Sequence, residues 1–417
     1  MDIFDMLYYL ILLIIALDFS WTQYLAYRNR KRMSPDIPAV LEGIYDKEEY
    51  TKQQAYQKTN SQFGLLTSSI SFFVTFIIFY FQGLGWLDNF VREYFTNTIL
   101  ISIVFIGVLF IGNELLSLPF SYYNTFVIEN KFGFNKSTGR IFWMDQLKGL
   151  VLSVVLGGII LSLLIWFYDS FENHAWLYAW GVVTVFSLFM TVFYSNLIVP
   201  LFNKQTSLPK GELRDAIEEF SMKVDFALTD IYVMDASKRS TKANAYFTGL
   251  GRKKRIVLFD TLINDLDPDQ IVAVLAHEIG HYKKKHTLKH LLFSIVYTGL
   301  LLFILSFFIE NQSLALALGS DVASFHLGII AFSILFTPIS LVLGLLMNVS
   351  SRKNEYEADA FAARYGLSQP LIDGLKRLST KSLANLNPDS WNVFFHYSHP
   401  TLLQRINALN RDSLKRE

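Results

Sequence analysis

The sequence predicts a mainly α-helical integral membrane protein with seven transmembrane helices and a small water-facing α+β lobe. Of its 417 residues, 52% are hydrophobic and only 18% are charged, and the mean hydropathy is +0.31. This composition is too apolar for an ordinary soluble protein. Seven apolar runs of about 20 residues account for the spans, and two long polar segments account for the lobe.

The balance of charges and the absence of cysteine exclude several classes of function. Thirty-seven Lys and Arg residues face 36 Asp and Glu residues, which leaves a net charge of +1. So small a charge gives no electrostatic basis for binding nucleic acid. Because the chain contains no cysteine, disulfides, thiol nucleophiles and Cys-ligated zinc are excluded.

Each predicted span is long enough to cross the hydrocarbon core of a bilayer as a helix. The first differs from a cleaved signal peptide, because Asp2 and Asp5 precede it without any Lys or Arg, and no small-residue cleavage site follows. We therefore expect it to remain as an anchor. The spans are predicted at 7–27, 64–84, 98–118, 147–167, 176–197, 288–309 and 326–348.

The distribution of Lys and Arg predicts the orientation in the membrane. Positive residues concentrate in alternate connections, which are 28–63, 119–146, 203–287 and 349–417, whereas 168–175 and 310–325 carry none. The N-terminus is therefore predicted outside and the polar segments in the cytoplasm. The compact chain, the lack of cysteine and a C-terminus without a dilysine pattern favour a bacterial inner membrane over the endoplasmic reticulum.

Four regions follow from this pattern. The last two spans form a helical hairpin, so the polar segments on either side of it return to the same membrane surface and are expected to fold together. The predicted regions are an N-terminal membrane region with five spans (1–202), a cytoplasmic lobe (203–287), a transmembrane hairpin (288–348) and the C-terminal part of the lobe (349–417).

The polar segment 203–287 reads as a small α+β unit. Apolar spacing predicts a helix over 210–224 and a strand over 231–234, and 245–248 with 256–259 read as a hairpin around Gly249 and Gly251. Asp267, Pro268 and Gln270 form a strong helix start, with an Asp cap and Pro at the first helical position. This helix is expected to run through residue 286.

The same helix contains His277, Glu278 and His281 in the HExxH pattern. Two imidazoles four residues apart lie about 40° apart on one helical face and can share a metal ion. Zinc lowers the pKa of a bound water to about 7, and Glu278 is placed to take its proton. His286 and His290 repeat the spacing without a following Glu and fall about 180° from His277, so they are interpreted as interfacial polar residues.

A catalytic zinc ion needs a third protein ligand. Thr287 stands where some HExxH enzymes carry a third His, so a carboxylate is required. The stretch 354–360 reads as a helix with Glu355 and Asp359 on one face. We therefore predict Glu355 as the third ligand and Asp359 as an acceptor that orients a ligand His, while Glu357 points elsewhere and is the weaker candidate.

Seven stretches of the chain are distinctive, and they are 130–139 (NKFGFNKSTG), 145–148 (DQLK), 200–203 (PLFN), 244–247 (NAYF), the HEIGH segment, 355–361 (EYEADAF) and 396–400 (HYSHP). Together they resemble the type 1 family of zinc-dependent CAAX prenyl endopeptidases, and the resemblance covers nearly the whole chain. That family removes the last three residues of prenylated CAAX proteins in eukaryotes and has bacterial relatives.

The resemblance implies one zinc ion per chain held by His277, His281 and Glu355, with Glu278 as catalytic base. It also implies a ring of seven helices around a water-filled chamber, with zinc at its cytoplasmic end. Three further roles are implied by the resemblance alone. They are His399 as a catalytic residue near the substrate or its developing oxyanion, Asn244 as a substrate-binding residue near the scissile bond on an edge strand, and Arg405 as a substrate-binding residue that pairs with acidic groups near the site.

The expected function is therefore that of a membrane-embedded zinc metalloendopeptidase, which hydrolyses peptide bonds near the C-terminus of CAAX-type peptides or proteins, prenylated or not, by metal-activated water. One alternative is a quality-control zinc protease without a prenyl requirement. A second is an intramembrane protease that uses Asp389 as third ligand, and a third is a transporter with a structural metal. The intramembrane residues Asp18, Asn113, Glu114 and Asn196 fit either a chamber wall or interhelical hydrogen bonds.

Overall fold

The computed structural model describes residues 2–248 and 254–414, which fold mainly as helices. Gly249 and Gly251 of the predicted hairpin lie outside the described residues. The helices are α1 (Ile3–Lys31), α2 (Lys47–Tyr80), α3 (Gly83–Tyr94), α4 (Thr98–Tyr123), α5 (Gly139–Leu152), α6 (Gly158–Ser170), α7 (Ala175–Leu197), α8 (Val199–Phe202), α9 (Glu212–Lys223), α10 (Asp260–Asp265), α11 (Pro268–Lys283), α12 (His286–Ile309), α13 (Gln312–Ala317), α14 (Phe325–Leu335), α15 (Thr337–Arg364), α16 (Ser368–Lys381), α17 (Ser390–His396) and α18 (Leu402–Leu414). The strands are β1 (Gln205–Ser207), β2 (Leu228–Met234), β3 (Ala245–Thr248) and β4 (Lys254–Phe259).

Among the described residues, six helical segments are long and apolar enough to cross a membrane. A π-helical stretch, Asn124–Glu129, extends α4, and another, Ser153–Gly157, joins α5 to α6. The predicted seventh span is broken, because α14 and α15 meet at Phe336 with a bend of 58°. Pro338 lies in the first turn of α15, where it lacks an N–H and disfavours a helical conformation of the preceding residue. The bent pair counts as the seventh span.

The spans, together with the short helix α3, are joined by a closed series of helix–helix contacts, called the ring below. Along this ring α1 packs on α2, α2 on α3, α3 on α4, α4 on α6, α6 on α7, α7 on α12, α12 on α14 and α14 on α1. In each of the six straight spans no more than 22% of the apolar stretch is buried. Most residues of these stretches are therefore not buried within the protein, although the ends of α1, α2, α4 and α14 share one buried core with α3 and α13.

A buried polar cluster fastens the ring at the end where α12 finishes and α14 begins. Asp88 of α3 and His326 of α14 are fully buried, and Oδ1 of Asp88 lies 2.8 Å from Nε2 of His326. Arg92 and Ser320 donate hydrogen bonds to the Asp88 carboxylate, and Ser102 of α4 contacts Nδ1 of His326 at 2.9 Å. Each of these polar side chains has a hydrogen-bond partner, so the cluster joins α3, α4 and α14 at a distance from the lobe.

The lobe contains a four-stranded sheet in the order β1-β2-β4-β3. β2 and β4 are parallel, and the two other pairs are antiparallel. The predicted pairing of 245–248 with 256–259 is confirmed, and it leaves β3 at the edge of the sheet. The core of the lobe joins α9, the sheet, α11 and α16 through residues such as Ile217, Ile256 and Leu275.

Helix α11 begins where the sequence predicts and ends early. The backbone N–H of Asp267 donates to Oε1 of Gln270 at 3.3 Å, which completes the capping box. The expected continuation through residue 286 is wrong, because Lys285 adopts a left-handed conformation with φ of 59° and α12 starts afresh at His286. The chain changes direction at this point, so helical phase no longer predicts where His286 lies.

Helix α15 links the membrane region to the lobe without interruption. It begins at the bend after α14 and ends at Arg364, where Ala362 and Ala363 belong to the core of the lobe. The predicted division at 348/349 therefore lies within one continuous helix. Because α15 packs against α11, the HExxH segment and the stretch 354–360 are side by side.

Candidate metal centre

The predicted ligands come from two helices that approach each other closely. His277 and His281 lie one turn apart on α11, and Glu355 faces them from α15. A Cβ atom added at Gly280 would stand 3.0 Å from Cα of Ala358 and 3.0 Å from Cβ of Phe361. Glycine at position 280 thus lets the two helices come near enough for a carboxylate to reach both imidazoles.

The three ligand groups lie close enough together to share one metal ion, since His277, His281 and Glu355 each offer one ligand atom and these atoms lie within 4.8 Å of one another and form the ligand triangle. Nε2 of His281 lies 3.2 Å from Nε2 of His277 and 3.2 Å from Oε1 of Glu355, and Nε2 of His277 lies 3.5 Å from Oε2 of Glu355. Tetrahedral zinc with bonds of about 2.0–2.1 Å holds its ligand atoms about 3.3–3.4 Å apart. The donor set therefore fits this ion.

The polar atoms that point toward the centre of the ligand triangle also suit a cation. Oε2 of Glu355 is buried and has no hydrogen-bond partner. His277 and His281 direct their Nε2 atoms at the same point, while their Nδ1 atoms contact other side chains. A carboxylate and two imidazole lone pairs that converge in this way are the ligand set of gluzincin-type zinc sites.

The orientation of His277 is fixed by Asp359. Nδ1 of His277 donates to Oδ1 of Asp359 at 2.8 Å, which leaves Nε2 free to face the metal position. Burial alone would lower the pKa of His277, but hydrogen bonds to Asp359 and Glu355 outweigh it and raise this pKa to about 9. The surrounding carboxylates therefore favour positive charge at this place.

Arg405 forms two hydrogen bonds with Asp359. Its Nε donates to Oδ2 of Asp359 at 2.9 Å and its Nη2 donates to Oδ1 at 2.6 Å. Burial opposes the charge of Arg405, and the hydrogen bonds with Asp359 more than compensate, so the pKa of Arg405 is raised. The guanidinium forms a two-pronged pair with Asp359, and its Nη1 also lies 3.8 Å from Oε2 of Glu355.

His286 lies where the sequence did not predict it, whereas Glu357 lies outside the ligand cluster, as predicted. His286 is only 2% exposed, its Nδ1 lies 3.1 Å from Nδ1 of His281, and its Nε2 lies 3.3 Å from Oε2 of Glu357. The interpretation of His286 as an interfacial residue opposite His277 is wrong, because the break at Lys285 turns it back toward the site. The three lysines before His286 did not indicate this break, because lysine is a good helix former.

A cavity of about 1220 Å³ opens beside the ligands. Glu278 and His281 of α11 face it, and so does Asn244, which directly precedes the edge strand β3. Most of the remaining lining is apolar, and Met190, Phe202 and Tyr246 are examples. The cavity is large enough to hold several residues of a peptide together with an apolar group.

His399 stands at the other side of the triangle. Its Nε2 lies 3.3 Å from Oε1 of Glu355, and its side chain is 64% exposed. Its Nδ1 contacts Oγ of Ser398 at 2.9 Å. An imidazole that is exposed and also adjacent to a metal ligand can approach a bound substrate, in contrast to the enclosed guanidinium of Arg405.

Asp389 lies away from this centre. Its carboxylate accepts hydrogen bonds from Nε and Nη2 of Arg28, both at 3.1 Å, and lies 3.8 Å from Arg32. These contacts join the loop before α17 to the end of α1. The cluster of groups that could hold a metal among the described residues consists of His277, His281 and Glu355, so the geometry gives Asp389 no part in it.

The predicted intramembrane polar residues have different surroundings. Asn196 accepts a hydrogen bond from Arg255 of β4 at 2.7 Å, so it joins α7 to the lobe. Asp18 and Asn113 are exposed, and Glu114 is half-buried. None of the four lies in the described metal-binding cluster.

Comparisons with known proteins agree along the whole chain. A family model described as the CAAX prenyl protease N-terminal region with five membrane helices matches residues 26–204, and the model of peptidase family M48 matches 207–413. A CAAX prenyl protease 1 homolog of Oryza sativa subsp. japonica is 34% identical, over 98% of each chain.

A fungal relative and a solved structure extend this likeness. CAAX prenyl protease 1 of Saccharomyces cerevisiae is 35% identical over 96% of this chain and 94% of its own length. The crystal structure of S. mikatae Ste24p superposes with a TM-score of 0.92 at 34% identity, covering 97% of this chain and 99% of that one. These relatives are eukaryotic and lend no support to the predicted bacterial membrane. The chain therefore belongs to the type 1 CAAX prenyl protease family within peptidase family M48 and is a multi-pass membrane metalloendopeptidase.

Proposed function

We propose that the protein is a zinc endopeptidase that hydrolyses peptide bonds near the C-terminus of CAAX-type substrates, including prenylated ones. The observation that carries the proposal is the ligand triangle of His277, His281 and Glu355, beside which Glu278 faces a large, mainly apolar cavity. The names of the relatives, which are CAAX prenyl proteases, support the substrate class.

The side chains around the cavity have complementary tasks in peptide hydrolysis. Bound zinc supplies a Lewis acid that polarises the scissile carbonyl and makes water acidic enough to react near neutral pH. Glu278 takes a proton from the attacking water as the oxygen bonds to the carbonyl carbon, and then delivers that proton to the amine nitrogen as the C–N bond breaks. His399 is close enough to donate a hydrogen bond to the developing oxyanion.

The edge of the sheet offers a place for the substrate backbone. β3 pairs with β4 on one side only, so an extended peptide can add along its other side by backbone hydrogen bonds. Asn244 lies at the beginning of this strand and faces the same cavity as Glu278. A peptide bound in this way has its scissile bond near the ligand triangle, while apolar residues and an isoprenoid chain occupy the cavity.

The general-base assignment is tested by Glu278→Gln. The variant retains the three ligands, so it should bind one zinc ion per chain and lose peptide cleavage by a factor of about 10²–10⁴. Zinc content by elemental analysis and cleavage of a CAAX peptide are measured on detergent-purified protein. Glu310→Gln, the same substitution at the exposed far end of α12, is the matched control. Wild-type cleavage by Glu278→Gln would rule out the assignment.

The substrate class is tested with matched peptides that differ only in prenylation. The proposal expects a higher kcat/KM for the prenylated peptide, because its isoprenoid chain gains apolar contacts in the cavity. Equal cleavage of both peptides would remove the prenyl preference and favour a quality-control protease.

The predicted orientation belongs to the same proposal. With the lobe in the cytoplasm, the ligand triangle and the edge strand face cytoplasmic substrates, and the loop between α13 and α14 lies on the opposite side. The excess of Lys and Arg in 203–287 and 349–417 supports this orientation.

A further inference from the structure

The two imidazoles at the candidate metal centre are supported in different ways. His277 donates directly to a carboxylate, since its Nδ1 lies 2.8 Å from Oδ1 of Asp359. Nδ1 of His281 lies 3.1 Å from Nδ1 of His286 instead, and within the described ranges no carboxylate is hydrogen-bonded to it.

The protonation states of this pair follow from the role of His281 as a ligand. If Nε2 of His281 gives its lone pair to zinc, Nδ1 must carry the proton and donate it. His286 can accept only through an unprotonated Nδ1, so its own proton must be on Nε2. That nitrogen lies 3.3 Å from Oε2 of Glu357, a carboxylate that can accept it.

We propose that His286 is a positioning residue that fixes the tautomer and the ring orientation of His281, and that Glu357 fixes His286 in turn. The inference rests on the proposed zinc site. The three groups are then linked in series: the Glu357 carboxylate contacts His286, His286 contacts His281, and His281 faces the metal position.

The surroundings of His286 suit this task. The residue is 2% exposed and is the first residue of α12, directly after the left-handed Lys285. A buried imidazole needs partners for both nitrogens, and here each nitrogen has one. Glu357 reaches it from α15, so the line also joins α12 to the helix that carries Glu355.

The main test compares three variants of the full-length protein by their zinc dissociation constants, measured through competition with a chelator. His286→Leu removes the acceptor and should weaken zinc binding by about 10–100-fold. His286→Asn places an amide oxygen near the former Nδ1 and should restore most of that loss. His290→Leu is the matched control on the next turn of α12, because His290 contacts Asn354 and no ligand. Its affinity should equal that of the wild type.

A second readout follows the geometry of the bound metal. In the cobalt-substituted protein, His286→Leu should change the visible absorption bands of the ion, and His286→Asn should leave them close to those of the wild type. If His286→Leu fails to fold, Glu357→Leu takes its place, since Glu357 is partly exposed and its loss leaves His286 without its carboxylate. This variant should also bind zinc more weakly than the control.

Two results would overturn the inference. One is a zinc affinity and cobalt spectrum of His286→Leu that match those of His290→Leu. The other applies where His286→Leu does not fold, and it is a zinc affinity and cobalt spectrum of Glu357→Leu that match those of His290→Leu. Failure of the proposed function has a different signature, which is a wild-type protein that binds no zinc or a Glu278→Gln variant that still cleaves peptide.

Discussion

At the scale of single residues, the candidate centre separates side chains that face the cavity from side chains that support the ligands. Glu278 and Asn244 line the cavity, and His399 is exposed beside Glu355. Arg405 is enclosed and paired with Asp359. The resemblance suggested Arg405 as a substrate-binding residue that pairs with acidic groups, and its contacts suggest support of His277 through Asp359.

Arg405→Lys distinguishes these two roles. A lysine cannot form the two-pronged pair with Asp359, so His277 should be held less firmly and zinc affinity should fall by about 10-fold or more. A supporting role lowers kcat at limiting zinc and leaves KM nearly unchanged, whereas a substrate-binding role raises KM. Steady-state kinetics and a zinc titration measure both quantities. A raised KM with normal zinc affinity would contradict the supporting role.

At the scale of elements, the contact between α11 and α15 determines whether a metal can bind. The two helices carry all three predicted ligands, and they meet where Gly280 faces Ala358 and Phe361. A side chain at position 280 would push against the backbone of α15, which cannot move aside as a flexible side chain can. The ligand triangle therefore depends on the absence of a Cβ atom at this position.

Gly280→Ala tests this dependence. Alanine favours the helix by about 1 kcal/mol relative to glycine, but its Cβ forces α15 away from α11 by a few tenths of an ångström. We expect little change in thermal stability and a clear loss of zinc affinity. Gly344→Ala in α15 is the matched control, because a Cβ there meets nothing within 4 Å. Equal zinc affinity of the two variants would show that the close approach is dispensable.

At the scale of the whole molecule, the ring and the lobe are coupled through α12 and α15. Each of these helices enters the lobe at the metal centre and continues into the ring. The ring is fastened at its other end by the buried pair of Asp88 and His326. The cavity is therefore lined by both the membrane region, through residues such as Met190, and the HExxH helix.

The orientation of the molecule can be tested by labelling, because the chain contains no cysteine. Single cysteines at the exposed positions Lys210 and Asp321 report on the lobe and on the loop before α14. A membrane-impermeant maleimide should label Lys210→Cys only from the cytoplasmic face and Asp321→Cys only from the opposite face. The reverse pattern would overturn the predicted orientation, and labelling of both from one face would contradict a ring that spans the membrane.

The local features of the sequence were sufficient for much of the architecture. Apolar runs of about 20 residues predict spans, because their length must match the thickness of the bilayer. The six straight spans and the pairing of β3 with β4 agree with those expectations. The start of α11 at Asp267 also followed from a rule that involves only neighbouring residues.

The breaks in helices were harder to predict. Pro338 gave a signal at the bend between α14 and α15, whereas the end of α11 at Lys283 depends on a left-handed lysine that any helix scale would have kept helical. As a consequence His286 was placed on the wrong side of the helix. A change in a single backbone dihedral redirects every later side chain, and the spacing of residues in the sequence does not predict that dihedral.

By itself, the sequence determined that this protein spans a membrane and carries an HExxH helix with a carboxylate-bearing helix to match it, since both follow from local periodicity. Only the tertiary structure decided that Glu355 reaches both imidazoles, that His286 and Glu357 stand behind His281, and that Asp389 pairs with Arg28 instead. These outcomes depend on how closely α11 and α15 pack and on how the chain turns at Lys285. Both are set by contacts between residues far apart in the sequence.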